Sequence, residues 1–197
     1  MNYLFAISIV ISMLLFVAFT ILALYILLLF ILSGGFKISP TVSSNKKSIK
    51  AIRKYIQEYI LKTDKKDIKI LDIGSGYGIM IFGIANNLKI PEGKKVSFIG
   101  YEISDFAYKI SKFLNKSKNI NFIKDDINNL RDFDFDIVLT FILKKQQKLF
   151  LNIYRKFPEN TLIIANSLPI PFEENDNFKL IETIKVFYRW NLYIYKR

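Results

Sequence analysis

The chain has 197 residues and a formal net charge of +12 at pH 7; this length suits one domain of ordinary size, and the charge favours acidic or anionic partners. It contains no cysteine and no histidine, which excludes from this sequence disulfides, zinc sites of cysteine or histidine, cysteine nucleophiles and serine–histidine–aspartate triads. Carboxylates alone remain able to hold a metal ion.

The chain opens with an uncharged apolar run, and Lys37 is its first charged side chain. Residues 2–35 are apolar on every face of a helix, and the run exceeds the roughly 20 residues that cross a bilayer. It lacks the basic start and the short apolar region of a cleaved signal peptide. We therefore predict one uncleaved transmembrane helix, in contact with the lipid bilayer over residues 4–32, within an anchor of residues 1–36.

The charges that flank this run predict its orientation. The amino-terminal side has no Lys or Arg, whereas basic residues follow the carboxyl-terminal side, namely Lys37, Lys46, Lys47, Lys50, Arg53 and Lys54. Positive flanks stay in the cytoplasm. We therefore expect a single-pass membrane protein with residues 37–197 as a domain on the cytoplasmic side.

An amphipathic helix is predicted after a linker. Gly, Pro and Ser punctuate residues 34–46. Within residues 48–60, apolar side chains recur at helical spacing between charges, at Ile49, Ile52, Ile56, Tyr59 and Ile60. We expect this helix to pack on the domain that follows.

From Asp67 onward, short apolar runs alternate with helical stretches. The predicted strands are residues 68–73, 95–102, 119–124, 135–143 and 160–167, and the predicted helices are residues 79–88, 105–116 and 144–157. This alternation predicts an α/β fold with a doubly wound parallel sheet, whose right-handed crossovers cover both faces. Residues 178–188 and 190–196 have no helix between them, so we expect an antiparallel hairpin at the sheet edge.

The turn after the first predicted strand contains three glycines. Asp72 is followed by Ser75 and by glycines at alternate positions, Gly74, Gly76 and Gly78. Doubly wound folds bind ligands at the carboxyl ends of their strands. Glycine adopts positive φ readily and lets a ligand approach the main chain. The turn therefore favours a ligand site over a tight turn without a ligand.

The glycine spacing narrows the class of ligand. Ile79 stands where a dinucleotide fingerprint needs its third glycine, and no Gly-Lys-Ser/Thr follows, as a P-loop requires. The pattern Asp-x-Gly-x-Gly-x-Gly instead resembles motif I of the class I S-adenosylmethionine-dependent methyltransferases. The resemblance implies a Rossmann-like sheet with an antiparallel terminal hairpin, and S-adenosyl-L-methionine as cofactor. It also implies a set of cofactor-binding residues, Asp72, Gly74, Ser75, Gly76 and Gly78.

Two further acidic positions support a nucleoside ligand. Glu102 ends the second predicted strand, where a carboxylate accepts hydrogen bonds from both ribose hydroxyls. After the third predicted strand, Asp126 lies where an acidic residue of the resembled family contacts the adenine amino group, and Asp125 is the alternative.

The layout of the chain narrows the resemblance. The order of its motifs is similar to that of the small lysine methyltransferases related to the mitochondrial ATP synthase c-subunit enzyme. These motifs are the apolar run, the pair Pro40-Thr41, the glycine turn, and Pro169 with Pro171 after the fifth predicted strand. The resemblance covers residues 39–196. It implies that Thr41 binds the cofactor and that a protein lysine accepts the methyl group.

The substrate side departs from those relatives at residues 77–79 and 142–144. Aromatic rings hold alkylammonium groups by cation–π contact, and Tyr77, Phe141 and Phe172 are the candidates near the expected site. No catalytic side chain is identified, because the chain has no histidine base and a lysine amine in an apolar site loses its proton to water more readily.

Three carboxylates, Asp132, Asp134 and Asp136, lie on one face of an extended segment. They would suit a metal-assisted O-methyltransferase. Strand periodicity favours a charged lead-in to the fourth predicted strand, so we expect no metal.

Other acceptors and one other class stay open. The basic charge suggests RNA, but base-amino methyltransferases carry Asp/Asn-Pro-Pro-aromatic where this chain reads Leu-Thr-Phe-Ile-Leu, so nucleic acid is not the expected partner. An anchor near the bilayer suits a lipid or quinone acceptor. A membrane-tethered module that binds a nucleoside without catalysis is the alternative of a different class.

Overall fold

The structure is a computed structural model that describes residues 2–32, 45–141, 143, 147–188 and 190–197. It divides into two compact units, one within residues 1–40 and one within residues 41–197. Most of the predicted linker lies outside the described residues.

The first unit contains the helix α1, Asn2–Leu32. Within it, Phe5–Leu29 is long and apolar enough to cross a membrane by length and composition, a test that a signal sequence also passes. Ser8 and Thr20 each donate a hydroxyl hydrogen bond of 2.8 Å to a main-chain carbonyl one turn earlier. The helix thus satisfies these polar groups internally, as an apolar surrounding requires. The predicted helix is confirmed, and its crossing of a membrane stays a prediction.

The second unit is built on a seven-stranded sheet in the order β3-β2-β1-β4-β5-β7-β6. Its strands are β1 Asp67–Ile73, β2 Lys95–Glu102, β3 Ile120–Lys124, β4 Ile137–Thr140, β5 Leu162–Ser167, β6 Lys179–Phe187 and β7 Trp190–Lys196. Its helices are α2 Lys46–Lys62, α3 Ile79–Ala85, α4 Asp105–Leu114 and α5 Gln147–Tyr154, with short 3₁₀ turns at Ile127–Asn129 and Glu174–Asp176.

The first five strands are parallel, and β7 is antiparallel to both β5 and β6. The predicted doubly wound α/β sheet and its terminal antiparallel hairpin are confirmed. Several strands are shorter than predicted, and β4 differs most, because it spans Ile137–Thr140 instead of residues 135–143. Thr140 lies opposite Ile73, the last residue of β1, and the glycine turn begins there, so residues beyond Thr140 have no β1 partner.

Helix α2 covers one face of the sheet. Its residues Ile52, Ile56 and Ile60 are fully buried against sheet side chains. Burying one such side chain contributes about 1.5–3 kcal/mol to stability. Asn45 caps the helix by accepting a hydrogen bond from the main-chain N–H of Lys47 at 2.8 Å, which satisfies an orphan donor of the first turn. The predicted amphipathic helix is confirmed.

A second core cluster lies on the opposite face. Ile153, Tyr154 and Phe157 are buried there, and the hydroxyls of Tyr154 and Thr140 lie 2.8 Å apart in a buried hydrogen bond. Within the predicted helix of residues 144–157, the helical spacing of Leu149, Ile153 and Phe157 predicts that Leu149 joins this cluster, but Leu149 is 70% exposed. This part of the prediction is wrong, because the first turn of α5 presents Leu149 to solvent.

The three clustered carboxylates pair with lysines. Asp136 accepts hydrogen bonds from the main-chain N–H of Lys69, at 2.8 Å, and from the ammonium of Lys65. The Lys69 ammonium lies 2.9 Å from Asp134 and 3.8 Å from Asp132. Because Asp136 immediately precedes β4, these pairs fit a charged lead-in to that strand.

Candidate functional site

The turn between β1 and α3 is held in left-handed backbone geometry by its glycines. Gly74, Gly76 and Gly78 have φ values of 73°, 55° and 77°. A residue with a Cβ would raise the energy of each position by about 1–2 kcal/mol. The glycines at alternate positions are therefore explained by the left-handed backbone conformation that the turn adopts at the carboxyl end of β1.

This glycine turn is fixed to the neighbouring strand. The carbonyl of Tyr101 accepts hydrogen bonds from the main-chain N–H groups of Gly74, at 3.0 Å, and Ser75, at 2.9 Å. Gly100 makes this approach possible, because a Cβ at Gly100 would lie 2.7 Å from the Ser75 hydroxyl oxygen. The backbone of the turn is therefore positioned by β2 as well as by β1.

Two glycines of the turn have different surroundings. A Cβ at Gly78 would lie 2.6 Å from the ring of Phe122 and 2.8 Å from the ring of Phe82, whereas a Cβ at Gly74 would meet no described atom within 4 Å. Gly78 is therefore required by packing inside the domain. Gly74 is exposed at the strand edge, where a ligand can reach the main chain.

Glu102 joins the glycine turn to the end of β2. One carboxylate oxygen accepts a hydrogen bond of 2.7 Å from the main-chain N–H of Gly76, and the other accepts one of 2.7 Å from Ser104. Ser104 is the N-cap of α4. Each carboxylate oxygen has a further lone pair for a ligand donor, and the side chain is buried. The geometry holds a negative charge in a fixed orientation beside the turn.

Asp72 is a buried carboxylate with unused hydrogen-bonding capacity. It is 2% exposed, and among the described residues neither of its carboxylate oxygens has a hydrogen-bond partner. The hydroxyl of Ser75 is also buried, and it has no hydrogen-bond partner among the described residues either. Burial raises the pKa of Asp72 well above its ordinary value, and the nearby Glu102 charge raises it further. A ligand that brings a hydrogen-bond donor or a positive charge would satisfy this group.

Asp125 and Asp126 follow β3, the strand next to β2. Lys124, the last residue of β3, pairs with Glu102, so both aspartates lie at the same edge of the sheet as Glu102. Asp126 accepts hydrogen bonds of 2.9 and 2.8 Å from the main chain and side chain of Asn128, and Asp125 accepts one of 2.7 Å from Asn129. These contacts order the loop that carries the two carboxylates.

The predicted aromatic candidates do not form one group. Tyr77 makes an edge contact with Phe106 at a ring-centroid distance of 6.4 Å. Phe172 stacks on Phe178 at 4.1 Å within the second core cluster. Phe141 instead lies 5.5 Å from Trp190. Phe172 is thus accounted for by core packing.

Thr41, which the sequence predicts to bind the cofactor, lies outside the described residues.

Two aromatic residues near the site, Phe187 and Trp190, are not predicted by the sequence. Trp190 is the single tryptophan of the chain. Their proximity to Phe141 depends on β7 pairing beside β5, which the sequence pattern does not reveal.

Comparison with known families gives a match over most of the domain. Residues 64–184 match the family model described as "Methyltransferase domain". A release factor glutamine methyltransferase of Fusobacterium nucleatum subsp. nucleatum is 31% identical over 111 residues, which cover 52% of this chain and 30% of that protein. The chain thus matches less than a third of the length of this curated relative.

Solved structures share the fold at low sequence identity. An RNA methyltransferase from Salinibacter ruber, in complex with S-adenosyl-L-homocysteine, has a TM-score of 0.60 and 14% identity, with 79% of this chain and 93% of that chain covered. Magnesium protoporphyrin IX methyltransferase from Synechocystis PCC 6803, with bound S-adenosylmethionine, has a TM-score of 0.57 and 13% identity, with 77% and 79% covered. These likenesses concern the architecture of the sheet and its helices.

Proposed function

The chain belongs to the methyltransferase-domain family, and on this premise we propose that it is a membrane-anchored enzyme that transfers a methyl group from S-adenosyl-L-methionine to a lysine side chain of a membrane-associated protein. The observation that carries the proposal is the meeting of the buried Asp72, the left-handed glycine turn and Glu102 at one edge of the sheet.

S-adenosyl-L-methionine is the cofactor, and the residues present fit it. Its ribose hydroxyls are donors for Glu102, whose oxygens already face the turn. Its amino-acid ammonium is a donor and a charge that would satisfy Asp72. The open side of Gly74 would admit it against the main chain. Asp126, or Asp125, would accept from the adenine amino group. When bound, the cofactor supplies an electrophilic methyl group on a positively charged sulfur.

A protein acceptor is supported by the similarity to a release factor glutamine methyltransferase. Lysine is favoured over glutamine by the layout of residues 39–196, which resembles that of the small lysine methyltransferases. We assign no base to the reaction, because the chain has no histidine and the amine can lose its proton to water before the site closes. The domain would then mainly orient the acceptor and exclude water.

The anchor is the second part of the proposal. Helix α1 would hold residues 1–36 in the bilayer, through contacts of residues 4–32, and residues 37–197 would form the enzyme domain. The basic residues that follow α1 would keep this domain on the cytoplasmic side. We expect the protein to stay in membranes after an alkaline wash, and we expect protease to digest the domain only in vesicles that expose the cytoplasmic face. Release by the wash would contradict the anchor.

The enzymatic proposal is tested with the full-length chain in detergent micelles. Calorimetry measures binding of S-adenosyl-L-methionine. Membranes are then incubated with methyl-labelled cofactor, and protein, lipid and RNA are separated before counting. We expect label in protein and methyl-lysine by mass spectrometry. Gly74→Ala is the variant expected to weaken cofactor binding. Gly93→Ala is its matched control, because both glycines have positive φ and a Cβ added at either would meet no described atom within 4 Å.

Each other result identifies an alternative. Label in lipid would indicate a lipid or quinone acceptor. Label in RNA, together with affinity for RNA that falls steeply with salt, would indicate an RNA methyltransferase. Cofactor binding without a labelled product would favour a non-catalytic membrane-tethered nucleoside-binding module. Absence of cofactor binding would overturn the proposed function itself.

A further inference from the structure

Three aromatic side chains form a cluster at the carboxyl edge of the sheet, and we call Phe141, Phe187 and Trp190 the edge cluster. The rings of Phe187 and Trp190 are stacked, with centroids 5.8 Å apart and an interplanar angle of 13°. The ring of Phe141 lies 5.5 Å from Trp190 at an angle of 56°. Contacts of this kind stabilise aromatic groups beyond the burial of their area.

Through Phe141, one end of the edge cluster lies beside the glycine turn. Phe141 directly follows Thr140, and Thr140 pairs with Ile73, the residue before Gly74. The main chain of Phe141 is therefore one register position beyond the end of the β1–β4 ladder, level with Gly74. A group bound on Phe141 would be next to a ligand held at the turn.

Trp190 is held in place by a buried amide. Its indole N–H donates a hydrogen bond of 2.8 Å to the side-chain oxygen of Asn166, and Asn166 is buried at the end of β5. The three rings are each only partly buried. The edge cluster is thus fixed by contacts below it while part of its aromatic surface stays accessible.

The structure already contains an ammonium on this cluster. The Nζ of Lys47 lies 5.5 Å from the centroid of the Phe187 ring, within the distance of a cation–π contact. Lys47 belongs to the first turn of α2, so a lysine side chain reaches the cluster from the domain itself. This contact shows that one ring of the cluster accommodates a cationic alkyl chain against its aromatic face.

We infer that the edge cluster binds the alkylammonium end of the acceptor lysine, before and after methylation. The inference rests on the proposed function, because it names the residues that receive the acceptor of that reaction. Of the three aromatic candidates predicted by the sequence, Phe141 alone belongs to the cluster. Asn166 is a positioning residue that sets the orientation of Trp190.

The chain provides its own reporter for this site, because Trp190 is the single tryptophan. Indole fluorescence of the full-length protein in detergent micelles is measured while choline is added at constant ionic strength. The control ligand is dimethylbutanol, the uncharged isostere of choline. We expect a saturable change of fluorescence with choline and a clearly weaker one with dimethylbutanol, since the cation–π contribution depends on the charge.

Substitutions that keep the reporter locate the effect. Phe141→Leu and Phe187→Leu should each weaken choline binding by about three- to tenfold. Phe113→Leu is the control, because Phe113 is 85% exposed in the last turn of α4, at the opposite end of the sheet from the glycine turn. We expect its choline titration to match that of the wild type. Circular dichroism verifies that each variant is folded.

Several outcomes would overturn the inference. Equal responses to choline and dimethylbutanol would identify an apolar surface without selectivity for charge. A response to a short oligouridylate without a response to choline would identify a base-stacking surface. No response to any probe, or equal titrations of the three variants, would also reject it.

Failure of this inference is distinguishable from failure of the proposed function. Calorimetry with S-adenosyl-L-methionine is carried out on the same samples. Cofactor binding with a silent Trp190 rejects the edge cluster alone, whereas absence of cofactor binding rejects the enzyme.

Discussion

The strongest test of the candidate site is a comparison of three glycine substitutions. Gly74, Gly78 and Gly93 all have φ values between 73° and 77°, so alanine adds a similar backbone penalty of about 1–2 kcal/mol at each position. Only at Gly78 would the new Cβ meet packed rings, at 2.6 Å from Phe122 and 2.8 Å from Phe82. The three variants therefore separate backbone strain, core packing and ligand contact.

The expected losses of stability follow from these distances. Overpacking of a core by a methyl group costs about 1–3 kcal/mol, so Gly78→Ala should lose about 2–5 kcal/mol in total. For a domain of this size, each kcal/mol lowers the melting temperature by about 2–4 °C. We thus expect a melting temperature lower by about 4–20 °C for Gly78→Ala, and by about 2–8 °C for Gly74→Ala and Gly93→Ala.

The binding assay distinguishes the two milder variants. Gly74 lies at the strand edge beside Asp72, whereas Gly93 lies in the turn before β2, where Lys94 donates a main-chain hydrogen bond to Pro91. Calorimetry of full-length protein should show S-adenosyl-L-methionine affinity at least about tenfold weaker for Gly74→Ala, a change of about 1.4 kcal/mol, and wild-type affinity for Gly93→Ala. The reasoning is refuted if the two variants bind the cofactor equally well, or if Gly78→Ala melts with them.

Three further predictions concern neighbouring groups. Glu102→Gln should lower stability by about 1–3 kcal/mol and weaken cofactor binding, because an amide places a donor against one of the two N–H groups that the carboxylate now satisfies; unchanged melting and calorimetry would contradict this. The raised pKa of Asp72 means that the folded protein binds this proton more tightly than the unfolded chain, so stability is lost as pH rises from the ordinary aspartate value through the raised one. Asp72→Asn should therefore raise the melting temperature of the cofactor-free protein at neutral pH, with a smaller increase in acid. It should also weaken cofactor binding. An equal increase of the melting temperature at both pH values would argue against the burial of a charge. Tyr154→Phe removes the hydroxyl 2.8 Å from Thr140 and should cost about 1–3 kcal/mol with cofactor affinity unchanged, as thermal melting and calorimetry would report.

Much of the fold follows from local patterns in the sequence. The limits of β2 match the prediction, because an alternating apolar run between polar turns defines them. The limits of β4 do not match, because residues 135–143 are apolar except for Asp136 and Thr140, and the pairing with β1 decides where the ladder stops. Strand ends set by a neighbour are not encoded in the strand itself.

In the candidate site, too, some features follow from the local sequence and others depend on strand pairing. The positive φ of the glycine turn could be predicted, because few other residues adopt that conformation. The contact of Glu102 with the N–H of Gly76 could not, since the two residues are brought together by the register of β1 with β2. The edge cluster could not be predicted for a similar reason, because the sequence predicts a terminal hairpin but not which of its strands lies next to β5.

The place of β7 in the sheet has a consequence for biosynthesis. Among the described strands it comes last along the chain, yet it lies between β5 and β6. Until the ribosome has released residue 196, the apolar edge of β5 has no neighbour on that side, and β6 has nothing to pair with. Exposed edges of this kind invite association between nascent chains. Newly made copies would thus depend on rapid completion of the hairpin, or on a chaperone that covers β5, to avoid aggregation.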